Sequence, residues 1–341
     1  MSHRSAGQLL LVTLLPLTVA LGGCGQGELA DDGPLDLQAD DLRKKKADAG
    51  TAAADAGHHA ADAGGGSHGK PGIGPSGGAV SLLHFAVTGD TRPKACEDVA
   101  GYPTAVITSI AAAFETEGAQ FAVDLGDHMY VCNNDLANAR AQMALFMSAT
   151  GAYSGTWFMT MGNHECFHSP CLLDSKVANY VAYTEALAPV SKLPYYSFDV
   201  DTSGGRATFV VIADNGWNAA QESWLKQTLT RADRDAAYTI VVRHHPPSDT
   251  SLTEHAAILA VIHAHKFALL LTGHDHKYEH PPRTDNGRVL VLGTGGAPLV
   301  AGGSFFGYAM VDQLPSGELQ VTVKNIATGL AHDTWTVGRN Q

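Results

Sequence analysis

The sequence predicts an α/β protein in which two packed sheets carry helices on their outer faces, and three features lead there. Near-continuous apolar strands recur beyond about residue 80. Helical stretches alternate with them, which implies strands buried on both faces. Strand after strand also stops on a residue able to bind a metal. In chain order the strands are read at 82–90 ("LLHFAVTGD"), 120–127 ("QFAVDLGD"), 156–165 ("TWFMTMGNHE"), 207–215 ("ATFVVIADN"), 238–247 ("YTIVVRHHPP"), 267–276 ("FALLLTGHDH") and 288–296 ("RVLVLGTGG"). A helix over 103–118 has Pro103 at its start and Gly118 at its end, the usual asymmetry of helix termini. Further helices are read over 135–149, 219–232 and 255–265, and strand-like pieces at 307–314 and 318–326 close the chain.

What precedes this region is of another kind. Arg4 stands ahead of an apolar run from Leu9 to Ala20, too short to span a bilayer and flanked like an export signal, here residues 1–23. The run ends in "LGGC", which resembles a bacterial lipoprotein box. That implies a lipid on Cys24 and a protein exported to the bacterial cell envelope, facing the periplasm or the cell surface. The plainer alternative is a cleaved signal with an incidental cysteine. Residues 24–79 read as a flexible Ala/Gly/Asp-rich tether: "ADAG" recurs at Ala47, Ala54 and Ala61, but no apolar seam accompanies the seven-residue period. The tether histidines His58, His59 and His68 carry no metal role in this reading. The domain proper is placed at 80–341.

Of the five cysteines, four remain after Cys24. In an exported chain an even number suggests two disulfides, with Cys96–Cys132 and Cys166–Cys171 favoured among three pairings. A thiolate metal site lacks a CxxC pair. The formal charge of -12 argues against a nucleic-acid-binding surface. Neither a Ser-His-Asp elbow nor a phosphate-binding glycine-rich loop with lysine is present.

The strand ends carry the chemistry. They are "GD" at Asp90, "GDHMY" from Asp127 to Tyr130, "GNHE" from Asn163 to Glu165, "RHHPP" with His244 and His245, and "GHDH" with His274 and His276. Ligands gather at the carboxyl ends of strands in open α/β sheets. Five such fragments in order point to a binuclear metal site. Their set and order resemble the calcineurin-like metallophosphoesterases, and within them the purple acid phosphatases. "GNHE" and "GHDH" are the specific elements, and "DNGWNAAQESWLKQTL" (Asp214 to Leu229) resembles the family's Gln/Trp-Leu helix.

The resemblance implies a four-layer α/β-β-α sandwich with two metal ions between the sheets. It implies that Asp90 and His276 hold one ion, that Asn163, His244 and His274 hold the other, and that Asp127 bridges them. It further implies that His164 faces the leaving group as acid or transition-state stabiliser, that Glu165 orients it, and that a metal-bound hydroxide attacks phosphorus. Most of the superfamily has Asp-x-His in the first motif, whereas the third position here is Arg92, and a protonated guanidinium cannot ligate. By resemblance to the purple acid phosphatases Tyr130 replaces the missing ligand, and its phenolate favours Fe(III) beside a divalent Fe, Zn or Mn ion. Otherwise Tyr130 packs behind the site and two divalent ions bind. Arg92 has two readings, a salt bridge that steadies Asp90 or its turn, and a fork onto substrate phosphate. His255 resembles a second substrate-facing histidine; the alternative is a histidine at a helix start. His128, His168 and His245 are taken as rim residues.

The resulting expectation is a lipid-tethered, metal-dependent hydrolase of small phosphoesters, monoesters favoured. A phosphodiesterase of the same fold, a non-catalytic lipoprotein binding phosphate or headgroups, and a structural envelope protein are the alternatives.

Overall fold

A computed structural model describes residues 73–166, 177–280, 287–300 and 305–341. The export signal, Cys24, the tether histidines, His168 and Cys171 lie outside the described residues. No helix among the described residues is long and apolar enough to cross a membrane.

The chain runs β1 (Gly77–Ala79), β2 (His84–Thr88), α1 (Thr104–Glu117), β3 (Phe121–Asp124), α2 (Leu136–Thr150), β4 (Thr156–Phe158), α3 (Ala178–Leu187), β5 (Tyr196–Thr202), β6 (Gly205–Val211), α4 (Ala219–Asp235), β7 (Tyr238–Val242), α5 (His255–His263), β8 (Leu269–Thr272), β9 (Tyr278–Glu279), β10 (Val289–Leu292), β11 (Gly307–Gln313), β12 (Leu319–Asn325) and β13 (Ala331–Val337). One sheet has the order β1-β5-β6-β7-β8-β10-β9 and the other β13-β12-β11-β2-β3-β4. Residues 73–79, which the sequence places at the end of the tether, belong to the fold: Ile73 is buried and β1 pairs in parallel with β5. β1, α3, β5, β9 and β13 were not read from the sequence.

The continuous apolar strands are explained by burial on both faces. Along β2, Phe85 and Val87 enter the core between the sheets, while Ala86 faces α1 and packs with Ile110, Ala111 and Phe114. Between the sheets Phe85 meets Phe209 edge-on at 5.1 Å, and Phe158 stacks on Phe198 at 3.6 Å. On the far side, Leu225 and Leu229 of α4 and Ile258 and Ile262 of α5 pack on Val210, Ile212 and Val241. The helix signals act as read. Gly118 caps α1 at φ 77, a left-handed conformation, and the Asp135 carboxylate accepts from the Ala137 and Asn138 amides at the start of α2.

β2, β3 and β4 are parallel to one another, as are β6, β7, β8 and β10. Within each sheet the loops that carry the motifs therefore leave from one edge. Asp90 N–H donates to the Gly126 carbonyl at 2.9 Å and Gly273 N–H to the His244 carbonyl at 2.9 Å, so adjacent strand ends are joined beyond the ladders.

At the opposite end of β2, His84 donates to Asp312 at 2.5 Å and to the Glu117 carbonyl at 2.9 Å. The Asp312 hydrogen bond raises the His84 pKa above its ordinary value, against burial. A raised histidine pKa adds stability that is complete below the unfolded value and fades as pH rises through the folded one. His84→Gln should therefore lower the urea midpoint more at about pH 5.5 than at about pH 9. Equal losses at both would show that the imidazolium contributes nothing.

Candidate metal centre

The motif glycines are packing conditions. A Cβ on Gly162 would lie 2.3 Å from Asp127 Oδ1, and one on Gly273 would lie 2.3 Å from Asp90 Oδ2. A Cβ on Gly126 would likewise lie 2.9 Å from His244 Nδ1, so Asp127, Asp90 and His244 each lean on a motif glycine of another strand. Asp90, Asp127, His274 and His276 all have left-handed φ, at 61°, 61°, 71° and 46°. Such strain costs about 1–3 kcal/mol per residue and gathers at functional sites.

The residues fall into two groups sharing Asp127. Around its Oδ1 lie His244 Nε2 at 3.3 Å and the His164 amide at 3.0 Å. Asn163 Oδ1 is 2.9 Å from His244 Nε2 and 3.0 Å from His274 Nδ1, and those two ring nitrogens are 3.3 Å apart. In the other group His276 Nε2 lies 3.5 Å from Asp90 Oδ1, and the Asp90 carboxylate accepts the His274 amide at about 3 Å. Asp90, Asp127 and His244 are all buried, with one ligand atom of each within 4.8 Å of the others.

The donor chemistry fits metal ions, because each imidazole commits one nitrogen outward. His244 Nδ1–H donates to the Leu125 carbonyl at 2.7 Å and His276 Nδ1–H to the Pro298 carbonyl at 2.8 Å. His274 Nε2 faces Asp249 at 3.2 Å. Each ring thus turns its other nitrogen inward, the arrangement that orients metal-ligating histidines. His245 binds Asp214 through its ring Nδ1 and its amide, at 3.1 and 2.9 Å, while its Nε2 lies 3.9 Å from Asp249 and its ring 4.3 Å from that of His274; Asp214 also takes the buried Arg243 at 3.2 Å.

The two buried carboxylates are shifted in opposite directions. Burial pushes the Asp90 carboxyl up to about 7, with the Asp127 charge adding to the rise. Asp127 is buried as well, yet His244 holds it well below the ordinary range. Burial lowers His164 to about 4 and, with Arg92 adding to the effect, His276 to about 3. Both rings are neutral near pH 7.

Arg92, Tyr130 and His164 form the wall beside Asp127 Oδ2. Arg92 Nε and His164 Nε2 each lie 3.7 Å from that oxygen. The guanidinium sits 4.7 Å over the Tyr130 ring, which also meets the His164 ring edge-on at 4.5 Å. Arg92 therefore faces Asp127, not Asp90, as an ion pair, and its Nη1 donates a hydrogen bond to the Pro93 carbonyl in its own turn.

Glu165 is a loop organiser. Its oxygens accept from the amides of Gly162 at 2.7 Å, Asp127 at 3.0 Å and His128 at 2.6 Å, so it ties the "GNHE" turn to the "GDHMY" turn. His128 is no rim residue: it is fully buried between Asp124 at 2.6 Å and Glu165 at 3.2 Å. Burial opposes its charge, but the two carboxylates prevail and push its pKa up to about 10. His245, buried against Asp214, is not at the rim either. His255, the first residue of α5, donates to the Pro247 carbonyl at 3.1 Å; no hydrogen bond or ion pair joins it to a candidate ligand among the described residues.

Cys96 and Cys132 form a disulfide, which ties the chain after Arg92 to the chain after Tyr130. Glu97 braces the same junction through its amide to the Tyr130 carbonyl and its carboxylate to the Cys132 and Asn133 amides. Cys166 is disulfide-bonded; its expected partner, Cys171, lies outside the described residues.

Comparison with known proteins identifies the family and the fold. The calcineurin-like phosphoesterase family profile matches residues 83–278, and the chain belongs to that family. It is 30% identical to Arabidopsis thaliana purple acid phosphatase 18 over 177 residues, 48% of this chain and 40% of that protein. It is 29% identical to the phosphoenolpyruvate phosphatase of Allium cepa over 176 residues, 46% of this chain and 34% of that one. The match thus spans less than half of each relative. The fold is shared with GAP50, the anchor in the inner membrane complex of Plasmodium (TM-score 0.59, 15% identity, 77% of this chain and 90% of that one). It is shared too with purple acid phosphatase PPD1 of yellow lupin, Lupinus luteus (TM-score 0.54, 16% identity, 75% and 53%).

Sequence reasoning did not find Asp249, Asp214 or the Asp124–His128–Glu165 triad, because carboxylates in loops and second positions of motifs carry no periodic signal. Asp249→Ala should weaken metal binding about 10–100-fold while leaving circular dichroism unchanged. An unchanged metal affinity would remove Asp249 from the support of His274.

Proposed function

We propose that the protein hydrolyses small phosphoesters, monoesters in preference to diesters, at a pair of metal ions. The observation that carries this reading is the outward commitment of one nitrogen on each of His244, His274 and His276, which leaves three imidazole nitrogens and two buried carboxylates directed at one another. Asp90 and His276 would hold one ion, with Tyr130 as the added phenolate ligand. Asn163, His244 and His274 would hold the other, and Asp127 would serve both. With Tyr130 bound the favoured pair is Fe(III) and a divalent ion; without it, two divalent ions. When bound, the metals supply Lewis-acid charge at the phosphoryl oxygens and an activated water near neutral pH.

The residues of the chain do the rest. Asp127 keeps its charge because His244 flanks it, so it remains an acceptor across the physiological range. Asn163 contributes a neutral oxygen and leaves its site more positive toward phosphate. His164, neutral above about pH 4, offers a hydrogen bond to the leaving oxygen as its charge develops. Arg92 Nε is buried with no hydrogen-bond partner among the described residues, and a phosphate oxygen would satisfy it. Glu165 and the disulfide hold these groups in register. Tethering to the bacterial envelope through Cys24, as the "LGGC" motif suggests, would expose the site to phosphoesters outside the cytoplasm.

The test is the ratio of kcat/KM for an aryl phosphate and the corresponding diester on the metal-loaded full chain. A ratio favouring the monoester is expected; a ratio favouring the diester would make the protein a phosphodiesterase, and turnover of neither would overturn the reading. His164→Ala should lower kcat about 10²–10⁴-fold for an alkyl phosphate and much less for a nitrophenyl ester, whose leaving group needs little help. Equal losses on both substrates would exclude a role at the leaving group.

A further inference from the structure

We infer that Asp214 is a positioning residue of the metal centre: through His245 it leaves Asp249 a single imidazole to hold, that of His274, and so fixes which His274 nitrogen turns inward. This inference rests on reading His274 as a metal ligand. Asp214 follows β6, and Arg243, His244 and His245 follow β7. The Ile212 amide donates to the Val242 carbonyl at 2.9 Å and keeps the two strand ends level. Arg243 and Asp214 are wholly buried, and His245 nearly so. The Asp214 carboxylate is closely held. Its Oδ2 takes Arg243 Nε at 3.2 Å, the His245 amide at 2.9 Å and His245 Nδ1 at 3.1 Å, and its Oδ1 takes the Asn215 amide at 3.0 Å. Neither Nη nitrogen of Arg243 has a hydrogen-bond partner among the described residues, so the guanidinium is committed to Asp214. Facing that charge, Asp214 is an acceptor only, and His245 Nδ1 must carry the proton between them.

The consequence falls on the other ring nitrogen. His245 Nε2 lies 3.9 Å from Asp249 Oδ2, too far for a hydrogen bond, whereas His274 Nε2 lies 3.2 Å from the same oxygen. The two rings are 4.3 Å apart with their planes tilted by 37°, so both stand beside one carboxylate. With its proton kept on Nδ1 by Asp214, His245 offers Asp249 no donor. Asp249 is left to His274, and its bonds from the Ser251 amide at 2.8 Å and the Ser251 hydroxyl at 3.0 Å hold it in its loop. His274 then donates outward from Nε2 and keeps Nδ1 for the inner donors, 3.0 Å from Asn163 Oδ1 and 3.3 Å from His244 Nε2. A proton on His245 Nε2 would instead draw Asp249 away, and His274 would lose the acceptor that sets its tautomer. The relay runs from Arg243 through Asp214, His245 and Asp249 to His274, from a fully buried pair to a partly exposed ring.

The test is calorimetric titration of the metal-free full chain with Zn²⁺ in a double-mutant cycle. Asp214→Asn keeps the shape but removes the charge, so Asp249 becomes the stronger acceptor beside His245 and the proton moves to Nε2. Zinc affinity should then fall about tenfold or more. His245→Phe keeps a ring against His274 but has no proton to redirect, and should change the affinity little. In the His245→Phe background, Asp214→Asn should cost nothing further. A loss that persists there would show that Asp214 is a structural support alone, which overturns the inference and leaves the metal-centre reading in place. Nitrogen-15 spectra of the zinc-loaded wild type, assigned through the backbone, need no variant to fold. They should show His245 protonated at Nδ1 and His274 at Nε2; the opposite tautomer at either ring would overturn the inference. Absence of any specific zinc binding by the wild type would overturn both the inference and the metal-centre reading.

Discussion

Two buried carboxylates set the terms for this structure. Asp90 and Asp127 approach within the reach of a single cation, with neither exposed to solvent. Two such charges repel strongly in a protein interior and are stable only with cations or imidazolium groups around them. The surrounding features answer that constraint: the outward-tied imidazoles, the strained left-handed turns and the glycines that let the turns touch. The Asp124–His128–Glu165 triad belongs to the same system, since its charged histidine steadies the carboxylate that holds the Gly162, Asp127 and His128 amides. Stability is spent locally to keep an electrostatically unfavourable arrangement in place.

The fold and the centre were legible in the sequence to different depths. The alternation of apolar strands with helices gave the two sheets and the outer helices, because burial on both faces leaves a continuous apolar run that is easy to see. β1 and β9 were not legible, being only short stretches at sheet edges, and neither was β5, whose buried positions alternate with more exposed ones. The end of the tether was misplaced because "GIGPSGGA" looks like linker, yet Ile73 anchors it in the core.

At the centre, Asp90, Asp127, Asn163 and His274 could be named because each follows a glycine at a strand end, and the close contacts of those glycines explain that pairing sterically. The supporting carboxylates could not. Asp249 lies five residues beyond His244 in an irregular loop, and nothing in the local sequence distinguishes it from an ordinary loop aspartate. His128 illustrates a different limit. A histidine beside a ligand reads as a rim residue, whereas the turn after Asp127 drives it inward between Asp124 and Glu165. Arg92 was visible as an anomaly of the first motif, but only the folded structure shows that it turns toward Asp127.

The account stands or falls on whether the buried cluster is a metal centre that performs phosphoester chemistry. The most direct measurement is aryl phosphate turnover by one preparation before dialysis against a strong chelator, after it, and after stoichiometric return of divalent metal. The account predicts that activity disappears with the metal and returns with it, while circular dichroism shows the fold retained throughout. Turnover that persists in protein shown by elemental analysis to be metal-free would contradict it.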